Sequence, residues 1–521
     1  MEWLAGARIA LTPRPVQRRE AALEVAMLGH YPNEKDADGR TLRERARLER
    51  LLTMPSALDD MRAVGFGSTV DLLTDTSTGR PALSEHLAGL YHVPIPLHSS
   101  AEFHDIFPDS AGEKTHYVSL LAGDRAWLAQ AVDDFFTNGG EKLWVVRIPE
   151  SEGQAGFMPA AETRLHDIDT LRGLATVLAI PSVAVVAMPD LERLQIPPRL
   201  PDVPRVRLEN PNPRFLPCGT DTDDDHRERR YPSELVNMPD PRPVEEVLRG
   251  ILQFTARYRP DVQILLTLPL VYSGEIDSPV VDRHALNQIT TIRDSDSGHL
   301  LRHMLFLFPY LRGPRFALRS PVGLIAGKQA AVTRAKGPWH SIGTQPLLSE
   351  GLPYPRLSIA QTVRLREEPG VGVLQVRTGF AGRSQLSLDD ERLVVPALPP
   401  SDYAGAENRH RFDGFRAAEI MRFLGFLRRR LQALGEQLVF NVDINDPRPR
   451  LLLEQFFRRL YNQGALRGKV PEEAYQIYQP RQIQEGAIQF DIQIAPAFPI
   501  DRLFLTFINT NGEWRMEVNG G

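Results

Sequence analysis

The sequence has 521 residues, a formal net charge of −5 and a pI near 6.3. This length predicts roughly two to four domains with large hydrophobic cores, and the acidic balance argues against a nucleic-acid coat, which is normally basic. The single cysteine, Cys218, excludes an internal disulfide framework and a four-cysteine zinc site, and favours a reducing compartment. No apolar run is long enough to predict a membrane span, and the apolar stretch near the N-terminus is too interrupted for a signal peptide.

The N-terminal part predicts an arm, a strand and an insertion, in that order. Residues 1–20 form the arm, in which Ile9, Ala10 and Leu11 are a candidate strand. The apolar run at 20–28 predicts a second strand. Residues 33–92 are rich in charged helix formers and are interpreted as an insertion.

The clearest α/β signal is the segment 126–148. Apolar residues at helical spacing lead to Asn138-Gly139-Gly140, which ends a helix, and the apolar run 143–146 then predicts a buried strand. The same helix-to-strand succession recurs at 171–188 and at 244–268. This alternation predicts an α/β fold, with mixed sheets flanked by helices.

The predicted α/β core consists of residues 21–32 and 93–400. A proline-rich, charged stretch at about 195–242 predicts a surface excursion from it. Between 384 and 403 the sequence predicts a loop region with a short strand at 392–395.

Residues 401–521 predict a C-terminal domain with helices before strands, which makes the whole chain a mixed α+β protein. Helices are predicted at 415–434 and 450–462, and strands at 487–494, 502–508 and 513–518. Asn511-Gly512 is a hairpin dipeptide between the last two strands. In the final strand, Trp514, Met516 and Val518 share one face.

Several strings in these segments resemble the tail sheath proteins of phages and contractile injection systems. Residues 135–147 are similar to that family's FFxNGG…VVR segment, and Leu460–Tyr475, LYNQGALRGKVPEEAY, is similar to its LYxQGALRGxxPEEAY string. Residues 306–338 look like its central segment. The resemblance covers residues 93–190 and 300–521. The chain departs from the family at 441–445, where an EPN-like string is usual, and at 376–379, which echoes its GxRT segment.

The resemblance implies a structural subunit that polymerises helically, with six-fold symmetry, around an inner tube and contracts to drive the tube through a target envelope. The implied partners are further copies of the chain, the inner tube protein, and baseplate and cap proteins, with no nucleic acid and no membrane insertion. The implied location is a cytoplasmic assembly in a bacterial cell, a virion or a released phage tail-like particle. The departures leave open a specialised, non-contracting sheath-like subunit at the baseplate or cap.

The two terminal strands are candidate assembly sites. A strand at either end of the chain leaves backbone N–H and C=O groups without partners if it stays isolated, and donation to a neighbouring subunit would satisfy them. The candidate residues are Ile9, Ala10 and Leu11 at one end and Trp514, Met516 and Val518 at the other. Deletion of 513–518 is therefore expected to abolish sheath polymers.

A second candidate is the basic side of the predicted helix 415–434. Arg422, Arg428, Arg429 and Arg430 lie on it. The resemblance implies docking onto an acidic surface of the inner tube, where weak charged contacts can break and reform. The alternative is an ordinary solvated helix face.

The sequence holds no complete motif for nucleotide binding. Gly323–Lys328 resembles a P-loop, but Val322 stands at the first glycine position and Gln329 replaces the Ser or Thr that binds magnesium. That pattern favours a helix packed through small residues. Gly370-Val371-Gly372 lacks the third glycine of a dinucleotide motif.

Metal-binding and nucleophile motifs are also incomplete. Asp221, Asp223 and Asp225 imitate half of an EF-hand loop without its glycine and glutamate, and His299 and His303 lack a third ligand. No nucleophile elbow is present. The sequence therefore predicts no cofactor, no metal and no enzymatic activity, and the alternative from another class is a soluble α/β enzyme of unknown substrate.

Overall fold

The protein is described here by a computed structural model in full-atom detail. The structure describes residues 21–31, 44–74, 85–108, 115, 117, 122–160, 162–196, 242–272, 279–313, 317–367, 370–378, 384–395, 416–437, 446–480, 488–497, 503–510 and 513–519.

The α-helices of these residues are, in chain order, α1 (Glu44–Leu52), α2 (Pro55–Ala63), α3 (Gly67–Thr74), α4 (Glu85–Ala88), α5 (Ser100–Ile106), α6 (Leu128–Thr137), α7 (Leu174–Leu178), α8 (Pro189–Arg193), α9 (Val244–Tyr258), α10 (Arg283–Arg293), α11 (Val322–Lys336), α12 (Ile359–Glu367), α13 (Ala418–Glu436), α14 (Arg448–Asn462) and α15 (Pro471–Ala474).

The strands are β1 (Glu24–His30), β2 (Pro94–Leu97), β3 (Leu143–Ile148), β4 (Val183–Ala187), β5 (Gln263–Thr267), β6 (Leu270–Tyr272), β7 (Pro279–Val281), β8 (Met304–Phe308), β9 (Tyr310–Arg312), β10 (Leu318–Arg319), β11 (Pro346–Leu347), β12 (Leu352–Tyr354), β13 (Gly372–Thr378), β14 (Ser384–Leu388), β15 (Tyr475–Tyr478), β16 (Ile488–Ile494), β17 (Leu503–Thr510) and β18 (Glu513–Asn519).

The predicted α/β core is built on a nine-stranded mixed sheet, with the order β11-β14-β13-β8-β5-β4-β1-β3-β2. Strands β13, β8, β5, β4, β1 and β3 run parallel to one another. At one end of the sheet β2 pairs antiparallel with β3. At the other end β14 pairs antiparallel with β13, and β11 pairs antiparallel with β14. The strands β1, β3, β4, β5 and β8 follow the order 2-1-3-4-5 of doubly wound sheets. The predicted fold class is confirmed.

Strand β1 lies inside this sheet, between β3 and β4, as the third strand from the β2 edge. Strands β3, β4, β5 and β8 are buried along their whole length because helices cover both faces, which explains their continuous apolar runs. The short strand predicted at 392–395 is wrong: Arg392 forms an isolated bridge with Ala417, and the strand of this region is β14.

Helices α6 and α11 pack against each other through two glycines, which is the small-residue packing that the 323–328 pattern favoured. A methyl group added at Gly323 would lie 2.2 Å from the carbonyl oxygen of Ala131, and one at Gly327 would lie 2.2 Å from that of Phe135. These backbones can approach so closely because Gly has no Cβ.

The described part of the predicted insertion packs onto the main core. Leu51, Met61 and Val70, from α1, α2 and α3, are fully buried in the same apolar cluster as the large sheet. This end of the sheet carries β2, and the helix after it, α5, has an N-cap: the Ser99 hydroxyl accepts from the N–H of Glu102.

The C-terminal part forms a second core around the antiparallel sheet β15-β16-β17-β18. Strand β16 alternates buried and half-buried residues, as its sequence pattern predicts, so one face of the sheet is covered. Helices α13 and α14 supply apolar residues to that core, among them Leu427, Leu431 and Phe457.

Candidate functional site: the domain junction and the C-terminal sheet

Helix α13 connects the two cores, and its two faces have different contacts. Ile420, Leu427 and Leu431 belong to the C-terminal apolar cluster. The stripe of Arg422, Gly425 and Arg429, at spacings of three and four, faces the large-sheet body instead. The basic residues of this helix therefore mostly contact other parts of the same chain.

The first of these contacts is a buried ion pair between Arg422 and Glu391. The guanidinium donates to both carboxylate oxygens of Glu391, at 2.8 and 3.2 Å, and to the carbonyl of His340 at 3.0 Å. The same carboxylate accepts from the Gln329 side chain and from the N–H of Ile342, both at 2.8 Å. Glu391 is fully buried and Arg422 is 3% exposed.

This network ties α11, the segment after it, and α13 to one carboxylate. Burial raises the pKa of Glu391, but the charge and hydrogen bonds of Arg422 outweigh it and hold the pKa below its usual value. The Arg422 side chain is enclosed by the chain's own groups in this structure, and its contact with an inner tube stays a prediction.

The second contact joins Arg429 to Asp261. Arg429 donates to the carboxylate of Asp261 at 3.0 Å and to its backbone carbonyl at 2.8 Å. A methyl group at Gly425 would lie 2.3 Å from the same carbonyl, so the glycine lets α13 approach this loop closely. Arg259 also donates to both oxygens of Asp261, each at 2.8 Å.

Burial raises the pKa of Asp261, but the two arginines outweigh burial and lower it to about 2. Arg429 is thus paired within the chain in this structure, and its contact with an inner tube stays a prediction. Arg428 is half-buried, and burial lowers its pKa. Arg430 is exposed and its guanidinium lies 5.8 Å from the centre of the Phe426 ring.

The C-terminal strand is not isolated in its own chain. Strand β18 pairs antiparallel with β17 from Glu513, opposite Thr510, to Asn519, opposite Phe504. Trp514 and Met516 are each 5% exposed, Val518 packs beside them, and the Trp514 ring stacks on Phe507 at 4.4 Å. The expectation that this strand lacks a partner is wrong, because β18 pairs along its length with β17.

One edge of β18 remains available for assembly. No other strand of the described residues pairs with its second edge. In this register Thr510 and Glu513 flank the connection as a hydrogen-bonded pair, and every second pair after it is of the same kind. The N–H groups of Trp514, Met516 and Val518 therefore face the open edge.

The carboxyl edge of the large sheet is closed by side chains of the chain itself. Doubly wound sheets bind ligands at this edge, beside the point where strand order reverses. Here Asp190, just beyond β4, accepts from the N–H groups of His30 (2.9 Å), Leu128 (3.1 Å) and Trp127 (2.9 Å). It also accepts from Arg193 Nε at 2.8 Å.

Arg193 fills the rest of this space. Its other nitrogens donate to the Tyr117 carbonyl (2.6 Å), Thr115 (3.1 Å), Glu150 (3.1 Å) and His30 Nδ1 (3.0 Å). Burial, with the charge of Arg193, lowers the pKa of His30 to about 3, so its ring is neutral and accepts this bond. The hydrogen bonds of these groups hold neighbouring parts of the sheet together.

Comparison with known proteins gives structural neighbours and no sequence relatives. No protein-family model and no curated protein matches the sequence. A chain of the anti-feeding prophage (AFP) baseplate has a TM-score of 0.51 and 13% identity, over 96% of this chain and 97% of that one. A chain of the AFP helical sheath in the contracted state has 0.49 and 13%, over 96% and 98%.

The sheath tail protein of Desulfitobacterium hafniense has a TM-score of 0.46 and 8% identity, over 97% of this chain and 100% of that one. At such identities the likeness is one of fold. The chain shares its fold with the chain of the AFP baseplate. The AFP helical sheath and the Desulfitobacterium hafniense protein are sheath proteins by name.

Several of the predicted residues lie outside the described residues. They are Ile9, Ala10, Leu11, Cys218, Asp221, Asp223 and Asp225.

The remaining motif candidates are structural parts of the fold. Gly323 and Gly327 lie inside α11, and Gly372 begins β13. His303 is buried whereas His299 is exposed, so the two do not share one face. Within the described ranges, no group of His, Cys, Asp and Glu side chains could hold a metal ion, and no helix is long and apolar enough to cross a membrane.

Sequence reasoning missed Glu391 and Asp261, the two carboxylates that neutralise the arginines. Glu391 stands in the charged run Asp389-Asp390-Glu391-Arg392, and Asp261 stands two residues before the buried strand β5. A charged residue at the end of a buried strand was the available signal, since such a position requires a partner.

Proposed function

We propose that this chain is the sheath subunit of a contractile tail or injection machine. It polymerises helically around an inner tube, and contraction of the polymer drives the tube through a target envelope. The observation that carries the proposal is the fold, which matches a chain of the AFP baseplate over 96% of this chain. The resemblance of Leu460–Tyr475 to a sheath string supports it independently.

Subunits join by strand addition at the open edge of β18. A donated strand, for which residues 9–11 are the candidate, would bond to the N–H groups of Trp514, Met516 and Val518. Each backbone hydrogen bond contributes a net ~0.5–1.5 kcal/mol, so three of them make a contact of a few kcal/mol. Repetition along a helical array then gives a continuous mesh.

The ion pairs of α13 suit this role because they keep the two cores together while neighbouring subunits move. Breaking a buried pair costs about 3–5 kcal/mol, whereas exposed ion pairs are worth about 0–1 kcal/mol. Motion during contraction is therefore expected between subunits before it occurs between the two cores. No nucleotide is consumed, since the extended array is a metastable state that relaxes.

We restrict the proposed tube contact of α13 to the exposed part of this helix. Arg430 is exposed and Arg428 is half-buried, whereas Arg422 and Arg429 are held by Glu391 and Asp261. Arg430→Glu is expected to weaken sheath assembly on tubes without weakening the fold. Equal assembly of the variant and the unchanged chain on purified tubes would refute the contact.

A second candidate is a non-contracting sheath-like subunit at the baseplate. It is favoured by the neighbour with a TM-score of 0.51, which comes from a baseplate structure. The sedimentation of the purified chain separates the two candidates. A sheath subunit forms long polymers that pellet, and a baseplate subunit forms rings or small oligomers at every concentration. A monomer at all concentrations contradicts both.

A further inference from the structure

A groove with a strongly basic lining lies where three helices end. It has a volume of about 650 Å³ and is bounded by the C-terminal parts of α11, α13 and α14. Four exposed cations line it: Arg334, Lys336, Arg430 and Arg459. Among its described lining residues there is no carboxylate.

The charge of this groove differs from that of its surroundings. The chain as a whole carries a net charge of −5. A neighbouring cavity of about 490 Å³, which shares Arg430, has carboxylates in its lining, namely Glu24, Asp261 and Glu436. The concentration of positive charge is therefore local to the first groove.

Helix dipoles explain these cations in part. Arg334, Lys336 and Arg459 lie in the last turns of their helices, where each stabilises its own helix by ~0.3–1 kcal/mol. Arg430 does not lie in a last turn. Arg334 has a carboxylate partner, Glu141 at 2.9 Å, but that residue is not part of the lining. Dipole compensation also does not require cations from three helices to share one concave surface.

We propose that this groove binds an acidic peptide segment of another protein. Its carboxylates would pair with Lys336 and Arg459, and Arg334 and Arg430 add to the positive charge of the lining. The floor is apolar, with the half-buried rings of Phe426 and Phe456. Trp339 also lines the groove, and its buried indole N–H makes no hydrogen bond within the described residues.

The helix ends favour a peptide over a nucleic acid. The last carbonyl groups of a helix carry partial negative charge and need donors. A peptide backbone supplies N–H donors beside its carboxylates, whereas a phosphodiester supplies acceptors alone. A long polyanion would also meet the negative charge of the remaining surface, while a short acidic segment would not.

The proposal goes beyond the assembly of a sheath, and it is tested on the isolated chain. A fluorescent deca-glutamate peptide is titrated with the purified protein at low and at high salt. Binding at low salt that weakens at high salt is expected, because exposed charge pairs are screened. Absence of binding at low salt overturns the proposal, and so does binding that salt leaves unchanged.

Two variants locate the site. Lys336→Gln combined with Arg459→Gln is expected to lower the affinity about tenfold, since two exposed ion pairs are lost. Arg458→Gln is the matched control, because Arg458 is an exposed neighbour on α14 outside the lining, and it should bind as the unchanged chain does. Equal affinity of the double variant and the control overturns the proposed site. If the double variant unfolds, Arg430→Gln replaces it with the same expectation in direction.

A single-stranded oligonucleotide of equal charge serves as the competitor. Weak or no competition supports a peptide site. Displacement of the peptide at equal or lower concentration of the oligonucleotide overturns the choice of a peptide in favour of nucleic acid. Binding of a deca-lysine peptide as tight as that of deca-glutamate overturns the charge argument.

Discussion

Removing the charge of the Arg422 side chain tests whether the junction holds the two cores of the chain together. Arg422→Met keeps an apolar stem of similar length but leaves Glu391 fully buried without its counter-charge. The carboxylate loses two of its four hydrogen bonds and keeps those from Gln329 and Ile342. Breaking one partner of a buried pair costs about 3–5 kcal/mol, and loss of the bond to His340 adds ~1 kcal/mol.

The cost is expected to depend on pH. In the unchanged chain Arg422 keeps the pKa of Glu391 below its usual value, so this carboxylate contributes stability above its unfolded pKa and loses it as pH falls. In Arg422→Met, burial acts without the arginine and raises the pKa. Glu391 can then take up a proton in acid. The difference in unfolding free energy between the two chains should therefore be larger at pH 8 than at pH 5.

Urea unfolding followed by tryptophan fluorescence measures this difference, and Trp339 lies next to the junction residue His340. Arg458→Met, at an exposed arginine of α14, is the matched control and should change stability by less than about 0.5 kcal/mol. Glu391→Gln combined with Arg422→Met should recover part of the loss, because no buried charge remains. A loss below about 1 kcal/mol at pH 8, or an equal loss in the control, would refute the account of the junction.

Three further perturbations follow from the fold. Gly327→Ala should lower the free energy of unfolding by about 1–3 kcal/mol, because the added methyl group meets the Phe135 carbonyl. Gly67→Ala is the control and should be neutral, because there is open space around Gly67. Equal unfolding midpoints of the two variants would contradict the helix contact. Burial raises the pKa of Glu192 to about 8, so the folded chain loses stability as pH rises from about 4.5 to 8. Glu192→Gln should remove that loss. Parallel curves of stability against pH for the variant and the unchanged chain would contradict this expectation. Val518→Pro removes an N–H at the open edge of β18. It should abolish polymers while the thermal midpoint of the monomer stays equal to that of the unchanged chain. Polymers of normal length would contradict strand addition at this edge.

The proline variant replaces deletion of 513–518 as the test of the edge. Deletion would remove Trp514 and Met516 from the C-terminal core, so loss of polymers could follow from unfolding. Glu517→Pro is the contrasting variant, because its N–H faces β17 in the present register. It should destabilise the sheet itself, which separates damage to the fold from damage to assembly.

Local patterns in the sequence were sufficient to predict most elements. The alternation of Ile488–Ile494 and the helix before Asn138 each depend on residues close in sequence. The place of β1 between β3 and β4 could not be predicted, because strand order depends on contacts between segments far apart in the chain.

The candidate site was predicted less well, and for the same reason. A charged run on a helix is normally solvated, yet Arg422 is buried because Glu391, 31 residues away in the chain, lies opposite it. Likewise Arg429 finds Asp261 at a separation of 168 residues. The groove of Arg334, Lys336, Arg430 and Arg459 needs three helix ends to meet, which no single segment reveals.

Electron microscopy of the purified chain in negative stain tests the central claim most directly. A sheath subunit is expected to form striated tubes whose cross-sections are rings with six-fold symmetry, and Val518→Pro prepared in parallel should form none. Uniform single particles from the unchanged chain, at concentrations where it remains folded and with purified inner tubes added, would contradict the claim.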